Sequence, residues 1–217
     1  METAGAVSDR VGMTPLAQME TVIPRLYASE PESLPFAPDL RIRAFLLERA
    51  AGNLLVYSTT TASGDVWRQY LNHRHEAGFA ARAVHAPVFV HADDRAAVEA
   101  TLPVRAAFSR RHMLDDDFEV IPTPGHTPGA TAYLWDSGEH RVLFTGDTIM
   151  LRDGEWRAAV LGSSDRGAYL ESLALLRELD FDVLVPWAAA GPYYALTDAE
   201  DARRRIGALI DRIWSDG

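Results

Sequence analysis

Asn72-His73-Arg74-His75-Glu76-Ala77-Gly78 is the stretch on which the reading of this chain turns. It follows a short strand candidate, Gln69 to Asn72, and sets two imidazoles two residues apart. In extended backbone, residues i and i+2 point the same way, so His73 and His75 can present both rings to one point. A polar surface loop would look the same, so the pair needs company. Two further segments supply it. Pro122-Thr123-Pro124-Gly125-His126-Thr127-Pro128-Gly129 wraps one His in two Pro-Gly units. Pro fixes φ and Gly reaches conformations closed to other residues, so this loop is stiffer than an ordinary turn requires. Val142-Leu143-Phe144-Thr145-Gly146-Asp147 is an apolar strand ending in Gly-Asp, a place where a rigid sheet can position a carboxylate.

Composition narrows the chemistry. The 217 residues contain no Cys, and every one of the 21 cations is Arg. Thiolate nucleophiles, disulfides and Cys-ligated zinc or iron–sulfur sites are excluded. Without Lys there is no Schiff-base catalysis and no P-loop lysine. A metal would have to take nitrogen from His and oxygen from Asp or Glu. The net charge of −10 argues against a nucleic-acid or anionic-membrane partner. The apolar stretches around Val120–Trp135 and Val183–Thr197 are short and broken by Pro or Gly, so neither suits a membrane span. The start of the chain lacks the basic and apolar regions of a secretory signal, and the expected location is cytoplasmic.

Strand signals dominate the first two thirds. Residues 1–20 read as a loosely ordered arm, and 21–217 as one domain. Arg41 to Glu48 and Leu54 to Ser58 form an expected hairpin. Glu76 to Val84 reads as helical, Pro87 to Val90 as a strand, and Asp93 or Asp94 as the cap of a helix through Leu102. Phe118 to Ile121, Thr131 to Trp135 and Arg141 to Phe144 are strands, the last two joined by a hairpin loop. Asp165 to Leu179 is amphipathic and Phe181 to Val185 is an apolar strand. Thr197-Asp198-Ala199-Glu200 reads as a capping box opening a helix whose face is Ala202, Ile206, Leu209, Ile210 and Ile213. Arg203-Arg204-Arg205 reads as a solvated face of that helix.

In this order and spacing the three segments resemble the metallo-β-lactamase superfamily, whose pattern is HxHxDH, a His in a PGHTPG-like loop, a strand ending in GD, and a last His after a late strand. The likeness runs from about residue 20 to the end and is nearest the single-domain hydroxyacylglutathione-hydrolase-like branch. It implies an α/β fold, a four-layer αββα sandwich with metals at one edge of the sheets. Carried across residue by residue, the first metal site falls on His73, His75 and His126, and the bridging carboxylate on Asp147. The second site does not carry over. Its Asp and His positions hold Ala77 and Gly78, and the segment after Pro186 reads Trp187-Ala188-Ala189-Ala190-Gly191, without His. Glu76, one position off the motif, is the one carboxylate to consider as a replacement.

The resemblance therefore implies one Zn (or Fe or Mn) ion, with no second metal expected. The function expected is a metal-dependent hydrolase with a reduced, mono-metal site of three His assisted by Asp147, acting on a small ester, thioester or lactam-like substrate. The alternative is a binding or scaffold protein that kept the fold and lost hydrolysis. The partner expected is a small-molecule substrate or ligand, with no nucleic acid and no membrane; a homodimer stays open. Thr127 and Thr145 are candidates to support the ligands or to close their own loops. His85, His91, His112 and His140 show no ligand spacing. Trp187, Tyr193 and Tyr194 read as packing under the loop that lost its His, the other reading being an aromatic wall over the site.

Overall fold

Strands Thr131–Asp136, Arg141–Gly146 and Val183–Pro186 explain the layering of the molecule. Their residues alternate between two cores. Tyr133, Trp135, Val142, Phe144, Val183 and Val185 enter one, while Ala132, Leu134, Leu143 and Leu184 enter the other. A strand buried on both faces reads as a continuous apolar run, as these do. The three belong to a six-stranded sheet with His112–Leu114, Phe118–Pro122 and Ala195–Leu196. The computed structural model describes residues 19–80 and 84–215.

A seven-stranded sheet lies on the first face. It is ordered Glu20–Ile23, Leu26–Ala28, Phe45–Leu47, Leu54–Val56, Arg68–Tyr70, Val88–His91 and Val104–Phe108. Phe45, Tyr57 and Tyr70 from this side meet Phe118, Tyr133 and Phe144 from the other. Helix α1 (Ala92–Glu99) covers the outer face of this sheet, burying Val98 with Leu71, Val88 and Val90. Helices α2 (Arg166–Arg177) and α3 (Ala199–Ser215) cover the other side through Tyr169, Leu173, Leu176, Ile206, Leu209 and Ile213. The order is helix, sheet, sheet, helices: the αββα sandwich. No helix among the described residues is long and apolar enough to cross a membrane.

The expected hairpins form. Phe45–Leu47 pairs antiparallel with Leu54–Val56, and Thr131–Asp136 with Arg141–Gly146. Several boundaries move. The strand expected over Arg41–Glu48 is two strands, because Ala37–Ile42 leaves for a different sheet and only Phe45–Leu47 stays. That third sheet, ordered Glu155–Arg157, Met150–Arg152, Ala188–Ala190, Ala37–Ile42 and Glu32–Leu34, was not anticipated. Its strands are mostly three residues long, too short to show alternation. The helix expected over Glu76–Val84 is a 3-10 helix, Arg74–Phe79; residues 81–83 lie outside the described residues. The expected arm also lies outside them, apart from Met19 and Glu20, and Glu20 opens the first strand.

Two caps differ from expectation. The side chain of His91 accepts from the Asp93 amide and caps α1, which frees Asp94 to turn inward. Asp198 caps α3, accepting from the Glu200 and Asp201 amides at 2.9 Å each, while Thr197 Oγ1 bonds Asp201. Arg204 and Arg205 pair with Asp201 on an open face, as the solvated reading expects.

Candidate metal centre

The C-terminal ends of the central strands converge on one point. Arg68–Tyr70 delivers His73 and His75, Phe118–Pro122 delivers His126, and Arg141–Gly146 delivers Asp147. The ring nitrogens of His73, His75 and His126 lie within 4.8 Å of one another. His73 and His126 are buried and His75 is exposed. The carboxylate oxygen Oδ2 of Asp147 stands 3.5 Å from His73 Nε2 and 3.6 Å from His126 Nε2. All four residues expected from the motifs are therefore together. The two imidazoles of the first motif do not converge by strand alternation, however. His73 is extended, with φ −155° and ψ 168°, and His75 already sits in the 3-10 turn.

Hydrogen bonds behind the rings determine which nitrogens face the centre. Asn72 Nδ2 donates to the Thr131 carbonyl, which leaves Asn72 Oδ1 to accept from His73 Nδ1 at 2.8 Å. The Ala159 carbonyl can only accept, so His126 Nδ1 carries the proton of its 2.7 Å bond. Both Nε2 atoms are then bare and point inward. His73 Nε2 is buried without a hydrogen-bond partner, as is Asp147 Oδ1. Buried polar atoms without partners are rare, and a cation would satisfy these. His126 Nε2 and His75 Nδ1 are 3.2 Å apart, close to the ~3.3 Å between nitrogens of a tetrahedral zinc site. Burial pushes all three imidazole pKa values down, His73 to about 3, which favours the neutral form that a metal ligand requires. The donor set fits a metal ion of the zinc class.

Glu76 does not join the centre. Its Oε1 turns back to accept from the Asn72 amide at 2.8 Å and the His73 amide at 3.0 Å. Burial raises its carboxyl well above the ordinary range. Glu76→Gln keeps an acceptor and should change stability by less than about 1 kcal/mol. Glu76→Ala strands two buried amides and should cost about 2–4 kcal/mol in chemical denaturation. Equal effects of the two substitutions would refute this role.

Asp94 was expected only as a helix cap, yet its fully buried carboxylate joins both ligand loops. It accepts from the Arg74 amide at 2.9 Å, Thr127 Oγ1 at 2.6 Å and the Gly129 amide at 3.3 Å. The only hint in the sequence is the Asp93-Asp94 pair, where one carboxylate is surplus to a cap. Tyr57 carried no signal. Its hydroxyl donates to the Val185 carbonyl and accepts from the Gly146 amide, each at 2.7 Å, locking the strand that ends at Asp147 to the one that leads to Trp187. Thr145 closes its own loop by donating to the Ile149 carbonyl.

Trp187 is the aromatic that reaches the centre. Its ring stands edge-on to His73 with centroids 5.3 Å apart, and its Nε1 donates to the Ser58 carbonyl. Tyr193 and Tyr194 pack elsewhere, Tyr193 under the Arg43 guanidinium and against Phe45. Ala77 faces the apolar cluster of Leu71, Val88 and Val98. The remaining histidines stay apart from the centre; His140 pairs with Asp182 and His112 bonds the Arg110 carbonyl.

A family model described as the metallo-beta-lactamase superfamily matches residues 51–188, well over half of the chain and all four converging side chains. The chain belongs to the metallo-beta-lactamase superfamily. Solved structures agree on the fold of this superfamily member. The FIM-1 metallo-beta-lactamase of Pseudomonas aeruginosa, in its mono-zinc form, is 14% identical with a TM-score of 0.68, over 89% of this chain and 94% of that one. BJP-1, a subclass B3 metallo-beta-lactamase of Bradyrhizobium japonicum, is 15% identical with a TM-score of 0.62, over 92% and 93%. A metallo-beta-lactamase family protein of Thermus thermophilus is 19% identical with a TM-score of 0.61, over 90% and 81%. No curated protein matches the sequence.

Proposed function

We propose that this superfamily member is a metal-dependent hydrolase working with a single ion held by His73, His75 and His126, and cleaving a small ester, thioester or lactam-like bond. The observation that carries the reading is the pair of bare, inward-facing Nε2 atoms of His73 and His126, with the His75 ring beside them. A divalent cation in this set supplies Lewis acidity toward a carbonyl and lowers the pKa of a water. The chain does the rest. Asn72 and the Ala159 carbonyl hold two imidazoles in the required tautomer. The Asp147 carboxylate, whose Oδ2 lies beside His73 and His126, would be the group to accept the proton of an attacking water.

Ala77, Gly78 and Trp187 support one ion rather than two, since none offers a ligand atom for a second. FIM-1 was crystallised in a mono-zinc form, so one ion is compatible with the fold. Elemental analysis of protein purified without added metal should find close to one equivalent of Zn, Fe or Mn. Two equivalents, or a trace with no uptake on reconstitution, would overturn the reading.

One observation favours a second reading, a binding protein that kept the fold. Where the second site would stand, Ala77 is packed into a core and Trp187 against His73, so these positions serve structure. A panel of generic esters and thioesters separates the two. Turnover that is lost on chelation and restored by metal supports the hydrolase; a metal-loaded protein inert to the whole panel supports the binding protein.

A further inference from the structure

The cleft above the three His has a volume of about 470 Å³. Its polar floor is His75, His126 and Asp147. Its walls are Leu34, Phe36, Leu40, Phe79, Met150 and Trp187, with Leu161 at the rim. Most of one wall comes from the third sheet and its hairpin. Phe36, at the tip between strands Glu32–Leu34 and Ala37–Ile42, is 81% exposed, and Leu161 is 42% exposed. Large apolar side chains left open around a concave site mark a surface that a ligand covers.

The charge of the walls is as informative as their apolarity. The chain has no Lys, and among the described residues lining the cleft there is no Arg. The guanidiniums of the neighbouring strands are engaged elsewhere: Arg41 donates to Ser33 Oγ and the Pro38 carbonyl, and Arg152 pairs with Asp39. Nothing in the walls can pair with an anionic group, and an unpaired carboxylate in apolar surroundings is strongly disfavoured.

We propose that this cleft selects uncharged substrates with an apolar acyl or alkyl arm, the arm lying along Phe36, Leu40 and Trp187 and the reacting carbonyl at the floor of His75, His126 and Asp147, and that it rejects arms ending in a carboxylate. The word substrate rests on the hydrolase reading; the selectivity of the walls does not.

The test is a binding measurement on the full chain after dialysis against a chelator, so that only the walls decide. The neutral dye N-phenylnaphthylamine is displaced by N-methyl amides from butanoyl to decanoyl, and by the matching half-amides of dicarboxylic acids. Affinity for the neutral series should rise up to about fourfold per methylene. Each half-acid should bind at least about tenfold more weakly than its neutral counterpart, a penalty of about 1.4 kcal/mol. The double variant F36S/L161S should lose about tenfold in affinity for the decanoyl amide with an unchanged melting temperature, because both side chains are exposed. Half-acids that bind as tightly as the amides, an affinity independent of arm length, or an unaltered F36S/L161S would each overturn the proposal. Neutral selectivity in a protein that turns over no ester would defeat the hydrolase reading alone. Ester turnover without that selectivity would defeat this proposal alone.

Discussion

His126→Ala should abolish metal retention and, with it, all ester or thioester turnover. The substitution removes one of three nitrogen donors and opens its place in the ligand set to water. Loss of a hydrogen-bond partner behind a ligand already costs about 10–100-fold in metal affinity, and loss of the ligand itself should exceed a hundredfold. The Ala159 carbonyl also loses its 2.7 Å bond, so a stability penalty of about 1–3 kcal/mol should accompany the effect. Metal affinity measured by competition with a chromogenic chelator separates the two consequences. His112→Ala is the control, since His112 is exposed and bonds only the Arg110 carbonyl, and it should keep the wild-type ion. Wild-type affinity in His126→Ala would remove the three-His centre from consideration.

Gly146→Ala should add a severely damaging single methyl group beside the site. Gly146 has φ +56°, and an added Cβ would stand 1.9 Å from Asn72 Oδ1 and 2.0 Å from Asn72 Cγ. Asn72 cannot step aside cheaply, because its side chain is bonded to the Thr131 carbonyl and to His73 Nδ1, and its amide to Glu76. Moving it releases His73. Backbone strain adds about 1 kcal/mol and the forced repacking more, for a total of about 3–5 kcal/mol. For a chain of this size that is a fall of about 10–15 °C in melting temperature. Gly138→Ala isolates the strain. Gly138 has φ +89°, and an added Cβ there would meet nothing within 4 Å, so about 1 kcal/mol should be lost. Equal melting temperatures for the two variants would show that the Asn72 contact does not govern the cost.

Much of the sandwich was legible because the strands that build it carry strong local signals. Thr131–Asp136 and Arg141–Gly146 are apolar on both faces with a turn sequence between, and α3 shows its buried face at helical spacing. The strands of the third sheet were not legible. Glu32–Leu34, Met150–Arg152 and Ala188–Ala190 are three residues each, and the sheet that holds them joins segments far apart along the chain. The same limit hid Asp94. A carboxylate beside a helix start has a sufficient local explanation, and its bonds to Thr127 and Gly129 span more than thirty residues.

Residue type and order determined the candidate ligands and the missing ones. His73, His75, His126 and Asp147 offer lone pairs; Ala77, Gly78 and Trp187 offer none; and without Cys no thiolate could substitute. That is chemistry carried by the side chain itself, whatever its surroundings. Direction and neighbourhood were decided only in three dimensions. Glu76 turns to the backbone instead of the three-His centre because two amides hold its carboxyl there. Tyr57 and Val185, 128 positions apart, meet to align Asp147 and Trp187. Apolar walls from four separate segments close over the three His. Such contacts form between residues remote along the chain, and packing selects among rotamers that a sequence leaves equally open.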